Sequence, residues 1–148
     1  MSDSLGFLIN DVSRLMRKRF DERARMIGVT RPQWRTLFVV SRNEGANQGI
    51  LADMLEVEPI TLCRMIDRLE ESGLVERRRD PADRRAWQIF LTAKAHPLIE
   101  KLLVVGGDMF EDAVKGMSAT ARSELIESLE LIRSNLNVVP KGKEASHG

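Results

Sequence analysis

The sequence predicts a mainly α-helical chain that carries one small β-hairpin near its middle. Two short amphipathic helices joined by a tight turn lie between Asn47 and Gly73, and two runs of β-type residues follow directly. Leucine-rich helical segments flank this block on both sides. A helix pair followed at once by a hairpin is typical of a winged helix-turn-helix, with helices from both termini left for dimerisation.

The second helix of the pair carries the residues that matter most for function. Pro59 suits its opening turn, where a missing N–H costs nothing, and Gly73 ends it because glycine enters the left-handed region without penalty. Its apolar stripe consists of Leu62, Met65, Ile66 and Leu69. The positions predicted to face outward are Thr61, Cys63, Arg64, Asp67 and Arg68.

The first helix of the pair is shorter, with Asn47 as its predicted N-cap. Its predicted inner face consists of Ile50, Leu51, Met54 and Leu55. Two amphipathic helices joined by a turn also make an ordinary helical hairpin, so the two helices alone leave both alternatives open.

The hairpin favours the winged alternative, and we call it the wing. Its predicted strands run from Leu74 to Arg79 and from Trp87 to Leu91, with turn formers between them. It contains five arginines, namely Arg77, Arg78, Arg79, Arg84 and Arg85. A charge run is usually a solvated face, but a basic hairpin tip after a helix-turn-helix indicates a probe of phosphates and the minor groove.

The predicted DNA contacts follow from residue chemistry. Thr61 and Arg64 are candidates for reading bases, since threonine meets base edges or a thymine methyl and arginine forks onto guanine. Cys63 is expected to be a small neutral contact near the DNA. Arg85 is the candidate for the minor groove, and Asp83 is expected to orient a nearby arginine. The predicted phosphate contacts are Arg68, Arg78, Arg79 and Arg84. The alternative for Arg68 is a pair with a neighbouring residue.

The segment RLEESGLVERRRDPADRRAWQIFLTAKA resembles the winged-helix core of the MarR family of bacterial transcription regulators. The residues that carry the wing motif are Asp83, Arg85, Leu91 and Thr92. Weaker similarity runs over nearly the whole chain, and GVTRPQWRTL and KAHPLIEKL look closest to the salicylate-responsive SlyA branch. One departure is Glu56, where the family usually has glycine after the first helix of the pair.

This resemblance implies a DNA-binding repressor that a small ligand releases from a palindromic operator. Family members are dimers, and relatives bind small aromatic or lipophilic anions where the dimer helices meet the DNA-binding lobe. For this chain the implied effector is an aromatic carboxylate or an acyl thioester. The predicted lining is Met16, Trp34 and Phe38, with Arg14 or Arg17 meeting the carboxylate. The alternative for Trp34 is a plain core position.

The flanking helices carry more apolar surface than a small winged-helix core covers. A first helix is predicted from Leu5 to about Met26. Two more follow the wing: Thr92 is predicted to cap the first of them, which should bend at Pro97, and the last helix starts at Ser118. We therefore predict a homodimer that matches a palindromic operator, the alternative being that these helices wrap their own subunit. The predicted regions are 1–28 and 93–138 for dimerisation, 29–92 for DNA binding, and 139–148 as a flexible tail.

Composition narrows the remaining classes. A chain of 148 residues with 43% hydrophobic and 30% charged residues is an ordinary soluble domain, and no apolar run is long enough to span a bilayer. A single cysteine excludes an internal disulfide and indicates the reducing cytoplasm. No zinc-type ligand spacing, phosphate-binding loop or nucleophile elbow is found, so neither a cofactor nor an enzyme is expected. The alternatives to a ligand-responsive repressor are an architectural DNA binder without effector and a winged-helix dimerisation module.

Overall fold

The computed structural model describes residues 2–138, which fold as six α-helices and one antiparallel hairpin. The helices are α1 (Ser2–Met26), α2 (Arg31–Arg42), α3 (Gln48–Leu55), α4 (Pro59–Glu71), α5 (Ala95–Ala113) and α6 (Ala119–Asn137). The wing consists of β1 (Val75–Arg79) and β2 (Trp87–Leu91). This confirms the predicted fold class. The predicted tail, 139–148, lies outside the described residues.

The described residues form two compact units, of which the first ends at Met109 and the second begins at Phe110. The predicted division into a DNA-binding lobe and a dimerisation region stays a prediction. No helix in the described part of the chain is both long and apolar enough to cross a membrane.

The helix-turn-helix begins and ends at the predicted capping residues. The Asn47 side chain accepts a hydrogen bond from the Ile50 N–H at 2.9 Å, which caps α3. Gly73 follows α4 with a φ of +75°, and the Leu74 N–H then bonds back to the Leu69 carbonyl at 2.9 Å. Local sequence therefore sets both the length of α4 and the direction in which the wing leaves it.

Glu56 ends α3 in the left-handed region, with φ 55° and ψ 43°. A residue with a side chain pays about 1–2 kcal/mol for that conformation. The Val57 N–H nevertheless reaches the Ala52 carbonyl at 3.0 Å. The turn thus keeps the conformation that glycine adopts easily, although this chain has glutamate there.

The core of the first unit is built mainly from α2, α3, α4 and the wing. Its fully buried large side chains include Leu37, Val40, Leu51, Leu62, Ile66, Leu69, Val75 and Ile89. The predicted inner face of α3 is right only in part, because Leu51 and Leu55 are buried whereas Ile50 and Met54 are exposed. Ala52, not Ile50 or Met54, completes the buried face. This core holds α4 with one face inward and the other free.

The start of α5 differs from the prediction. The Thr92 hydroxyl does not cap the helix but donates to the Gly73 carbonyl at 2.5 Å. The helix begins at Ala95, so Pro97 lies in the first turn, where its ring requires no bend. Further along, Gly106 packs against Phe20, since a Cβ at Gly106 would lie 3.5 Å from the Phe20 ring.

Candidate nucleic-acid interface

The exposed face of α4 carries a short polar stripe. Thr61, Arg64 and Arg68 are all exposed, and their spacing of three and four residues places them on one side of the helix. The opposite side is buried through Leu62, Ile66 and Leu69. A helix anchored by one face and polar on the other can enter the major groove, where N-terminal residues of such helices meet base edges.

Ile60 joins this face and was not among the predicted site residues. Its side chain is 64% exposed in the first turn of α4, next to Thr61. The signal was present in the sequence, because Ile60 is apolar yet lies outside the buried stripe. An exposed branched side chain there is suited to contact with the methyl group of a thymine.

Cys63 lies on a different side of α4 from the one predicted. It is half-buried, its carbonyl accepts a hydrogen bond from Arg77 Nη2 at 3.2 Å, and its Sγ lies 3.8 Å from the same nitrogen. The prediction that Cys63 faces outward is therefore wrong. The physical reason is that β1 folds back against this side of α4, which helical periodicity alone does not reveal.

Two arginines of the wing are held by neighbouring aromatic rings. The Arg78 guanidinium lies 4.1 Å from the centre of the Phe90 ring and forms an ion pair with Glu76. The Arg79 guanidinium lies 4.1 Å from the centre of the Trp87 ring. Such cation–π contacts contribute about 0.5–1 kcal/mol at exposed sites, so both side chains are partly preordered while their residues stay exposed.

The tip of the wing is held by two aspartates. Asp80 Oδ1 accepts the N–H of Ala82 at 2.8 Å, and Asp83 Oδ1 accepts the N–H of Arg85 at 3.0 Å. Asp83 thus holds the backbone of Arg85, not an arginine side chain. Arg84 and Arg85 are exposed, and among the described residues no hydrogen bond or ion pair engages their guanidinium groups.

Arg77 differs from the other wing arginines because it turns inward, with only 12% of its side chain exposed. Its Nη2 lies 2.7 Å from Asp67 Oδ1, Nη1 donates to Glu70 Oε1 at 3.0 Å, and Nε donates to Gln48 Oε1 at 2.8 Å. Burial alone would lower the pKa of Arg77. The hydrogen bonds and charges of Asp67 and Glu70 outweigh burial and raise the pKa.

A cavity of ≈ 440 Å³ opens beside this cluster. Its lining consists of Gln48, Cys63, Asp67, Glu70, Arg77 and Trp87. The lining contains two carboxylates and one guanidinium, and that guanidinium already pairs with both carboxylates. The space between the wing and the helix pair is therefore bridged by polar contacts and is not filled by apolar side chains.

The predicted effector residues lie in two settings. Trp34 and Phe38 pack against Phe20, with ring centres 4.7 Å and 6.0 Å from it, and Met16 packs against the same core. This packing favours the core alternative for Trp34. Arg14, 3.5 Å from the Asp11 carboxylate, and Arg17 are exposed on α1. Their role in binding a ligand stays a prediction.

A buried carboxylate, which sequence reasoning did not single out, joins α1 to α2. Asp21 is 4% exposed and accepts hydrogen bonds from Arg31 Nε at 2.5 Å and from Trp34 Nε1 at 2.7 Å. Burial alone would raise the pKa of Asp21. The hydrogen bonds from Arg31 and Trp34, together with the Arg31 charge, hold that pKa below its usual value.

Large apolar side chains are exposed on α5, where they are Leu103, Val104 and Phe110, and in larger number on the two terminal helices. On α1 these are Leu5, Phe7, Leu8, Ile9, Val12 and Leu15. On α6 they are Leu125, Ile126, Leu129, Leu131 and Leu136, and no residue of α6 is buried in the described chain. The predicted surplus of apolar surface is confirmed for both helices.

Comparison with known proteins identifies the class of regulator. Residues 29–87 match the model of the MarR family, and the solved transcriptional regulator PA3341 is 32% identical over 89% of this chain and 97% of that one, with a TM-score of 0.74. The chain belongs to the MarR family. It is therefore a MarR-family transcriptional regulator, and α3 and α4 with the hairpin form its winged helix-turn-helix.

Two further MarR-family structures bear on the finer predictions. A mutant of E. coli MarR, complexed with operator DNA, is 27% identical over 86% of this chain and 92% of that chain, with a TM-score of 0.71. SlyA is 25% identical over 89% of this chain and 93% of that chain, with a TM-score of 0.73. The SlyA match supports the predicted branch in part.

Proposed function

We propose that this MarR-family regulator is a repressor that binds a palindromic DNA operator as a homodimer and is released by a small aromatic or lipophilic anion. The observation that carries the proposal is the exposed stripe of Thr61, Arg64 and Arg68 on a helix whose other face is buried. The structural likeness to a MarR protein complexed with operator DNA supports it. Such a protein would act in the cytoplasm, as the single cysteine also indicates.

In this proposal α4 is the recognition helix and lies in the major groove. Arg64 forks onto a guanine, Thr61 lies close to base edges, and Arg68 approaches a phosphate. A two-pronged contact between arginine and a guanine edge is worth about 1–3 kcal/mol of discrimination, so Arg64 would dominate sequence preference.

The wing supplies the second set of contacts. Arg85, whose backbone Asp83 holds, enters the minor groove, where narrow A·T-rich segments carry a strong negative potential. Arg84 contacts a phosphate from the same tip. The stacked guanidinium groups of Arg78 and Arg79 keep exposed edges and approach phosphates along the strand.

Dimerisation would use the apolar surfaces of the terminal helices. Residues 1–28 and 93–138 form the dimerisation region in this proposal, and residues 29–92 form the DNA-binding lobe. The support is that α6 buries nothing in the single chain although it carries five exposed large apolar residues. A second copy that covers those residues removes apolar surface from water, which favours association through the hydrophobic effect.

The effector would bind where the dimerisation region meets the lobe. The cations that would meet a carboxylate are Arg14 and Arg17, both exposed on α1, and the nearest apolar wall is Met16 with Trp34 and Phe38. Release then requires the ligand to bind the DNA-free protein more tightly than the DNA-bound protein. The ratio of these two ligand affinities equals the factor by which the ligand weakens DNA binding.

Selection from random duplex DNA tests this function. The full chain is expected to enrich an inverted repeat, to protect both halves in a footprint, and to bind it with an affinity that falls steeply with salt. Adding pooled aromatic acids and acyl thioesters is then expected to release the DNA. If the DNA stays bound with every ligand, the architectural binder is favoured. If the chain enriches no duplex at all, DNA binding itself is contradicted.

A further inference from the structure

We propose that Arg77 is a positioning residue that fixes the wing against the recognition helix, so that both enter DNA as one rigid unit. The inference rests on the proposed DNA-binding function. Arg77 belongs to the wing by sequence, yet its side chain is nearly buried and its contacts are all within the protein.

The register of the hairpin explains why Arg77, unlike Arg78, can make this connection. Arg77 pairs with Ile89, and paired residues of an antiparallel ladder point to the same face of the sheet. Ile89 is fully buried, as is Val75 two residues before Arg77. Arg77 therefore points towards the helices, while its neighbour Arg78 points away and stays exposed.

Three elements meet at the Arg77 guanidinium. It contacts the Gln48 side chain on α3, and on α4 it contacts the carboxylates of Asp67 and Glu70 and the carbonyl of Cys63. Glu70 also accepts the backbone N–H of Arg77 at 3.3 Å, so it holds β1 at two points. A planar fork with several donors can satisfy such a set, whereas the single ammonium of lysine cannot match its geometry.

The cavity beside Arg77 makes these polar contacts decisive for the wing's orientation. The base of the hairpin is packed in the core through Val75 and Ile89. Nearer the tip, an open groove of ≈ 440 Å³ lies beside Arg77, lined by Trp87, Gln48 and the charged cluster, so close packing contributes less there. In this part of the wing, the polar contacts of Arg77 are what join β1 to α3 and α4.

A change in the angle of the hairpin would move the wing tip. β1 advances about 3.3 Å per residue and ends two residues after Arg77, so Arg85, in the turn that follows, lies at least about 7 Å beyond Arg77. A tilt of about 20° would then displace the Arg85 backbone by at least about 2 Å, which takes a donor out of hydrogen-bonding distance. Loss of Arg77 would therefore weaken the minor-groove contact of Arg85 while leaving Arg64, which α4 itself carries, in place.

The test is a set of double-mutant cycles on the selected operator. Arg85→Ala is expected to weaken binding about tenfold in the wild-type background and by less than about twofold in an Arg77→Leu background. Arg64→Ala is expected to cost the same factor in both backgrounds. A variant that is merely destabilised would lose active protein and shift all affinities together, so it would leave both factors unchanged.

Two further variants guard against misfolding and against a simple charge effect. Asp67→Asn combined with Glu70→Gln keeps Arg77 but removes its anionic partners, and it is expected to shrink the Arg85 factor in the same way. Arg78→Leu removes a cation from the same strand and is expected to lower affinity yet leave the Arg85 factor at about tenfold.

The outcomes separate the two proposals. If wild-type protein binds no duplex DNA, the proposed function fails. If it binds but the Arg85 factor is the same with and without Arg77, or if Arg85→Ala has no effect on wild type, the wing is not positioned by Arg77 for DNA contact. We expect the affinity loss caused by Arg85→Ala to disappear in both the Arg77→Leu and the carboxylate backgrounds, and the affinity loss caused by Arg64→Ala to stay the same.

Discussion

From α2 to β2 the large apolar side chains meet in one core, whereas on α6 they remain at the surface. Leu62 and Ile66 on α4 are fully buried, while Leu125 on α6 is 42% exposed. Both helices carry several large apolar residues, and those of α4 lie more strictly on one face than those of α6. The difference is in what lies opposite: α4 has α2, α3 and the wing beside it, and α6 buries nothing in a single chain. Residues from α2 to β2 therefore share a core within one chain, and the exposed apolar residues of α6 are the surface that the proposed dimer would cover.

The largest expected effect comes from making α6 polar. Leu125→Glu together with Leu129→Glu is expected to abolish dimerisation and to weaken operator binding at least about 100-fold, because two linked half-sites gain about 10²–10⁴ in avidity. The fold should survive, since neither side chain is buried. Sedimentation and a binding titration measure both effects, with Glu127→Gln as a matched exposed control. A variant that sediments as a dimer and binds the operator with full affinity would show that these residues of α6 do not mediate dimerisation.

The next largest effect is expected from a substitution on the exposed face of α4. Arg64→Ala is expected to cost about 1–3 kcal/mol of binding and to relax the preference at one base pair per half-site. Arg68→Ala serves as the control and is expected to weaken binding on all sequences alike. Titrations on single-base operator variants distinguish the two patterns. Equal loss on every sequence for Arg64→Ala would make Arg64 a phosphate contact and would leave base reading to Thr61 or Ile60.

Asp21 tests how firmly the terminal helix α1 is joined to the lobe. Asp21→Asn is expected to lower the free energy of unfolding by about 1–3 kcal/mol at neutral pH, because charged hydrogen bonds to Arg31 and Trp34 are lost. The pKa of Asp21 is lowered in the folded state, so its stabilisation is present above the usual value of 3.8 and disappears as pH falls through the lower folded pKa.

Urea unfolding of wild type and Asp21→Asn at several pH values measures this difference. The gap between the two proteins should narrow below pH 3.8 and not above it. Asp11→Asn is the matched control, because its exposed pair with Arg14 is expected to contribute less than about 1 kcal/mol. A gap that is constant with pH would show that the Asp21 charge does not hold α1 in place.

The smallest expected effect lies within the lobe, at Glu56. Glu56→Gly is expected to stabilise the protein by up to about 1 kcal/mol, since relief of the left-handed strain exceeds the added freedom of the unfolded chain. Glu58→Gly, at an extended position with φ −66°, should give no such gain. Thermal unfolding measures both variants. Destabilisation by Glu56→Gly would mean that the glutamate side chain makes a contact that outweighs the strain.

The sequence was sufficient for several features that depend on neighbours along the chain. Asn47 and Gly73 lie at the helix ends they were predicted to mark, and β2 has its predicted bounds, because capping and hairpin formation are local. The surplus apolar surface of α6 was also predictable, since counting apolar residues against one helical face needs no tertiary information.

The predictions were incomplete or wrong where a side chain's surroundings come from a distant segment. Cys63 and Arg77 look like outward positions on a helix and a basic wing, yet the fold brings them together. Asp21 looks like any acidic residue on a helix until Arg31 and Trp34 pack around it. Such contacts depend on how elements fold back on one another, which periodicity within each element does not encode.

In the proposed complex, two copies of this chain place two recognition helices on one inverted repeat. Sedimentation of the full chain with the selected operator, with absorbance recorded at one wavelength for protein and one for DNA, measures how many chains bind each duplex. We expect two chains per duplex, and half-site centres about 10 base pairs apart or a multiple of that spacing. One chain per duplex, or a complex of unchanged affinity on a single isolated half-site, would contradict it.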